Sequence, residues 1–231
     1  MLIRTVVSPL LGTNCYVVAD DAARCLVVDP GAGVVDEVRQ VVDESGWTPV
    51  AVLVTHGHVD HTWSAAELCG AYGVALHLHE ADLPQVADPF GALGPLGGQL
   101  AQTAASAGMQ YDPAGRVEPF TCAEAGAGAA RADLDLGDRE APFAVAALHA
   151  PGHTAGSTVY VLEDGTALTG DVLFAGTIGR TDLPGGDGAA MERTLGHLAT
   201  LPEETVLLPG HGPSSSIGAE LRSNPYLRTA R

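Results

Sequence analysis

Short apolar, β-branched runs recur along the chain at 2–7, 15–19, 25–29, 50–55, 74–79, 143–149, 158–162, 167–169 and 206–208. Gly, Pro, Asp or Asn bounds each of them, as turn residues bound strands. Between them the apolar period changes. Val34, Val35, Val38, Val41 and Val42 share one face at helical spacing. Ala65, Ala66, Leu68 and Cys69 suggest a second helix, and 96–107, 191–201 and 217–221 three more. Strands alternating with helices confine the chain to an α/β or α+β class with layered packing.

A chain of 231 residues can bury a large core as one domain. We read 1–231 as a single domain. Within it, 84–128 is rich in Gly, Ala and Pro and too long for a plain connection, so it reads as an insertion or lid over one face.

Hydrophobic residues at 46% and charged residues at 17% are a globular composition. No apolar run approaches the ~18 residues of a membrane span, and the N-terminus lacks a signal-peptide layout. We expect a cytoplasmic protein with no membrane partner. The net charge of −17 would repel a phosphate backbone. The only loose basic group is Arg222, Arg228 and Arg231, so we expect no nucleic-acid partner either. Cys15, Cys25, Cys69 and Cys122 form no C-x-x-C pair and read as buried thiols.

One stretch of strand-to-helix loop is chemically unusual. "VLVTHGHVDHTWSA", 52–65, places His56, His58, Asp60 and His61 within six positions of a chain that has nine histidines. Imidazole and carboxylate suit zinc, iron or manganese. Alternate residues at a strand end point the same way, so His56 and His58 can meet one ion. Asp60 and His61, on the turn into the helix, can meet another; two ions sharing so short a loop would sit ~3.5–4 Å apart. Three more apolar runs end in ligand-type residues: His153 in "ALHAPGHTAGS", Asp171 in "ALTGDVLF" and His211 in "VLLPGHGPS". Sites in layered α/β folds gather at such ends. Alone, each of these has a plainer reading, Asp171 as a turn residue for example. We hold to that plainer reading for His77, His79, His149 and His197, as surface or internally bonded histidines.

Taken in order, H-x-H-x-D-H, G-H-T-x-G-S, G-D and P-G-H-G resemble the metallo-β-lactamase superfamily, and the likeness runs from "VVDPGAG" at 27–33 to the C-terminus. The resemblance implies a four-layer αββα sandwich with two divalent metals at one edge, zinc first and iron or manganese as alternatives. It implies that His56, His58 and His153 hold the first metal and Asp60, His61 and His211 the second, with Asp171 bridging. Asp29 would support a ligand histidine from behind. "DVLFAGTIGRTDLPGGD" and the C-terminal segment resemble the short bacterial branch of the hydroxyacylglutathione hydrolases (glyoxalase II), which lacks the helical domain that holds glutathione in longer enzymes.

That branch implies hydrolysis of a small-molecule thioester of a 2-hydroxy acid with a low-molecular-weight thiol. The metals would supply a bridging hydroxide, because bound water ionises near pH 7. Asp60 and Asp171 are the catalytic candidates beside it. Arg180, in "GTIGRTDLPGG", is the candidate for a substrate carboxylate, since its planar fork binds carboxylates bidentately. Other members of the superfamily keep three alternatives open: a persulfide dioxygenase with one iron on His56, His153 and Asp171, a lactonase or phosphodiesterase, and a non-catalytic metal-binding protein.

Overall fold

Residues 16–19 show how the layers arise. Tyr16 and Val18 face one apolar cluster, while Val17 and Ala19 face another, and all four are buried. A strand with both faces covered lies between two layers, and its side chains alternate between them. The computed structural model describes residues 1–124 and 129–229. Arg231 of the loose basic group and positions 125–128 of the 84–128 stretch lie outside the described residues.

The first sheet runs, in order, β1 (Leu2–Val7), β2 (Asn14–Ala19), β3 (Arg24–Val28), β4 (Thr48–Leu53), β5 (Leu76–His79) and β6 (Val117–Phe120). Its first three strands pair antiparallel and the rest parallel. The parallel pairs need crossovers. α1 (Val35–Ser45) joins β3 to β4, and α2 (Val59–Thr62) with α3 (Ala65–Tyr72) joins β4 to β5. α4 (Leu83–Ala87) and α5 (Pro95–Ser106) lie between β5 and β6.

The second sheet contains β7 (Arg131–Leu136), β8 (Phe143–His149), β9 (Thr158–Val161) and β10 (Ala167–Gly170), with β13 (Val206–Pro209) and β14 (Ser215–Ser216) beyond β10. The hairpin β11 (Leu173–Phe174) and β12 (Thr177–Ile178) stands apart. α6 (Gly188–Leu198), α7 (Ile217–Ser223) and α8 (Pro225–Thr229) complete the chain of elements.

The sheets meet face to face through Val18, Leu26, Leu53, Phe143, Val145, Tyr160 and Leu168. Val38, Val42 and Leu68 of α1 and α3 cover the outer face of the first sheet. Met191, Leu195, Ile217 and Leu227 of α6, α7 and α8 cover that of the second. Each such side chain withdrawn from water contributes roughly 1.5–3 kcal/mol. The architecture is the expected αββα sandwich.

Three sequence expectations need adjusting. The 84–128 stretch is not an excursion throughout: β6 lies inside it and pairs parallel with β5 as the sheet's edge. The part before β6 carries α5 and is anchored through Trp63, Phe90 and Tyr111, whose rings pack edge to face at 5.9–6.3 Å. The strand β7 was not expected, although Arg131, Asp133 and Asp135 alternate outward with Ala132, Leu134 and Leu136. Of the four thiols, Cys15, Cys25 and Cys69 are buried and Cys122 is partly exposed. Burial pushes all four upward in pKa.

Candidate metal centre

The ends of β4, β8, β10 and β13 lie along one edge of the sandwich, and the loops that leave them carry the expected residues. The structure brings together all seven: His56, His58 and His153 form one group of converging donor atoms, Asp60, His61 and His211 another, and Asp171 joins His56 and His61 in a third. Asp171 stands between them. Its Oδ2 is 3.7 Å from Nε2 of both His153 and His211, and its Oδ1 is 3.4 Å from His61 Nε2. Gly210 makes this approach possible, because a Cβ there would collide with Asp171 Oδ1 and the His61 ring.

In the first group, His56 Nε2 and His153 Nε2 lie 3.0 and 2.9 Å from His58 Nδ1. Their outer bonds set the tautomers. His153 Nδ1–H donates to the Arg180 carbonyl at 2.8 Å. His56 Nδ1 lies 3.2 Å from the Thr55 hydroxyl, which itself donates to Asp29. Both Nε2 atoms therefore aim lone pairs at His58 Nδ1, which can donate to only one, and buried His58 Nε2 has no partner. Three nitrogens ~2.0–2.1 Å from one ion at tetrahedral angles would sit about 3.3 Å apart. A divalent cation fits this donor set better than a proton does. Burial, helped by His153, pushes the His58 pKa down to about 4, and burial lowers His56 well below its ordinary value. Both are neutral at pH 7, the form that binds metal.

The second group has carboxylates among its imidazoles. His211 Nε2 is 3.3 Å and His61 Nε2 3.7 Å from Asp60 Oδ2. Burial alone would lower the His61 pKa, but Asp29, Asp60 and Asp171 together raise it well above its ordinary value. The bond to Asp60 raises His211. His61 Nε2 and Asp171 Oδ1 are buried without hydrogen-bond partners, two orphaned atoms that a cation would satisfy. The His211 and Asp60 side chains are 31% and 22% exposed against 0% for His61, so the mouth of the site opens on them.

Asp29 lies behind the second group. It accepts the Thr55 N–H at 2.7 Å and hydroxyl at 2.8 Å, and its Oδ2 is 3.0 Å from His61 Nδ1. Its backbone φ of +53° is a left-handed conformation that aspartate tolerates.

Arg180, the candidate for a substrate carboxylate, already has a carboxylate partner within the chain. Its fork is occupied by Asp182, through Nε and Nη2 at 2.7 Å each, on an exposed surface. What Arg180 presents to the site is its backbone carbonyl, which orients His153. His79 and His149, set aside as ordinary, stack on each other at 4.1 Å and bond to main chain. His77 lies 3.8 Å from Glu118.

The reading of the sequence overlooked Asp82. Fully buried, it accepts hydrogen bonds from Gly57, Thr154 and Gly156, beside the ligand-type histidines. The available signal was an acidic residue three positions after a strand that ends at His79.

Residues 8–211 match the model of the metallo-beta-lactamase superfamily. The chain belongs to that superfamily. It is 40% identical to an uncharacterized protein of Mycobacterium tuberculosis, over 98% of each chain. It is 32% identical to the hydroxyacylglutathione hydrolase GloC of Haemophilus influenzae, over 94% of this chain and 93% of that one. Among solved structures, TTHA1623 in a di-iron-bound form superposes with a TM-score of 0.76 at 29% identity, covering 96% of this chain and 99% of that one. Membership in the superfamily, with a His/Asp cluster fit for divalent ions, makes this a metal-binding hydrolase. Among the described residues no helix is long and apolar enough to cross a membrane.

Proposed function

We propose that the protein hydrolyses thioesters formed between a 2-hydroxy acid and a low-molecular-weight thiol. The observation that carries this is the complete second donor group: Asp60, His61 and His211 converge beside the three-histidine group, with the Asp171 carboxylate between them. A one-iron dioxygenase would need only His56, His153 and Asp171 and would leave the second group without a task. The likeness to GloC supports the choice of thioester.

When bound, the two divalent ions supply a water acidified to near pH 7 and a Lewis acid for the carbonyl. The chain's own residues do the rest. His56, His58 and His153 would hold one position through ring nitrogens, with His153 fixed by the Arg180 carbonyl. Asp171 spans both positions. Asp60 is at the mouth, where its free oxygen can orient the attacking water and accept its proton. The departing thiolate is stable near neutral pH, so the chemistry asks for no general acid. The substrate enters past His211 and Phe174, whose rings are 6.4 Å apart. Residues before β6 pack on Trp63, two positions beyond His61, and in this reading serve as a lid.

The test is metal analysis of the purified protein joined to assays on S-lactoyl thioesters of glutathione, mycothiol and bacillithiol. The expected result is two metal equivalents and release of free thiol from at least one substrate, abolished by a chelator and restored by metal. One iron equivalent with oxygen-dependent turnover of a persulfide, and no thioester cleavage, would overturn the proposal.

A further inference from the structure

Asp82 takes no part in the chemistry proposed above, yet it is a carboxylate with 0% exposure. Burying such a group is costly unless its oxygens are satisfied. Its partners are neutral donors. The Gly57 N–H (2.9 Å) and the Thr154 hydroxyl (2.7 Å) donate to Oδ2, and the Gly156 N–H (2.7 Å) donates to Oδ1. Three donors on two oxygens call for an acceptor-only, ionised carboxylate.

The positions of those donors matter more than their number. Gly57 is the residue between His56 and His58, on the loop after β4 of the first sheet. Thr154 and Gly156 follow His153, on the loop after β8 of the second. One side chain thus ties together backbone adjacent to all three imidazoles of the first group, across the two sheets. The fit is close: a Cβ on Gly156 would lie 2.6 Å from Asp82 Cγ, and one on Gly57 would lie 2.9 Å from the Asp82 carbonyl oxygen. Other bonds also cross between the sheets here, from Thr158 N–H to the Thr55 carbonyl and from the Tyr160 hydroxyl to the Val54 carbonyl. The sandwich therefore does not depend on Asp82 to close. The second group has its own supports in Asp29 and in the Gly210 N–H, which donates to the Gly170 carbonyl.

We infer that Asp82 is a positioning residue that sets the convergence of His56, His58 and His153, and through it the metal affinity of the first position but not of the second. This rests on reading the two donor groups as metal positions. Asp82→Asn keeps the shape and replaces one acceptor oxygen with an amide that faces a donor. Thr154→Val removes one of the three donors and is the milder change.

The experiment titrates metal-free protein with Zn²⁺ against a chromogenic chelator. His58→Ala and His211→Ala serve as references that identify the two binding steps. Asp82→Asn should weaken the first step about 10–100-fold, as loss of such supporting partners does, and leave the second within about threefold. Thr154→Val should shift the same step less, and it carries the test if Asp82→Asn does not fold. An unchanged first step in both variants would overturn the inference. So would a parallel fall in both steps together with a lower melting temperature of the metal-free protein, which would make Asp82 a general structural residue. A wild type that binds one equivalent would sink the two-metal reading alone, because the remaining step still reports on Asp82. A wild type that binds none would sink both.

Discussion

The two donor groups face each other across Asp171 but are built on different terms. The first consists of three imidazoles, all buried, drawn from loops of two different sheets and held by the Arg180 carbonyl, Thr55 and the Asp82 bonds. The second mixes imidazole with carboxylate, opens to solvent at Asp60 and His211, and has a single buried member, His61, backed by Asp29. The difference teaches where rigidity and access are placed. The closed group can hold an ion through turnover, while the half-open group can exchange water and meet substrate.

The comparison breaks most directly at the ligands. His58→Ala should abolish thioester hydrolysis and remove the first metal equivalent, and His211→Ala should remove mainly the second. Both losses should exceed the 10–100-fold typical of outer partners. Metal content and turnover measured on the same preparations check this. Equal metal loss in both variants would mean that the groups are not separate positions.

Asp29→Asn comes next. The left-handed backbone tolerates asparagine, but Thr55 loses a charged acceptor and His61 loses the negative charge 3.0 Å from its Nδ1. The second binding step should weaken about 10–100-fold. Stability should fall by about 1–3 kcal/mol, read from urea midpoints, because a buried donor is left poorly matched. A fall in the first step alone would reverse the division drawn here.

A smaller effect concerns acid and the support of the first group. His79 accepts the Ala81 N–H in the turn that leads to Asp82, and burial, with the stacked His149, pushes its pKa down to about 4. The unfolded chain, with a histidine pKa near 6.5, binds the proton more readily. The stabilisation is therefore present above about pH 6.5 and is lost as pH falls toward 4, by about 3 kcal/mol at most. Denaturation of the metal-free protein across that range should flatten in His79→Gln. An unchanged slope would place the titration elsewhere.

The smallest effect belongs to Arg180. Arg180→Ala should leave KM within about twofold, because the exposed pair with Asp182 contributes little and the carbonyl that orients His153 is unaltered. A tenfold rise in KM on charged thioesters alone would return the guanidinium to substrate binding.

Part of this was legible in the residues. H-x-H-x-D-H declares itself because its chemistry is concentrated in one short stretch, and strand ends mark where partners can gather. Layered packing follows from the alternation of short apolar strand runs with runs of helical period. The strand β7 was equally legible in its alternation of Arg131, Asp133 and Asp135 with apolar residues, but its charged face reads as a loop. An edge strand keeps one side in water. β6 escaped notice because a short edge strand after a Gly-rich stretch has too few buried residues to show a period.

The sequence alone determined the chemical kinds of donor, their order along the chain and a layered α/β class, since identity and hydrophobic period are local properties; the αββα order of the layers came through the resemblance of its motifs to the superfamily. Only the tertiary structure decided which donors face one another. It placed Asp171 between the groups, gave the Arg180 fork to Asp182, and set Asp82 against two loops that are far apart in sequence but adjacent in space. These contacts depend on how two sheets pack, and the energy of a contact between distant residues leaves no mark on the spacing of either one.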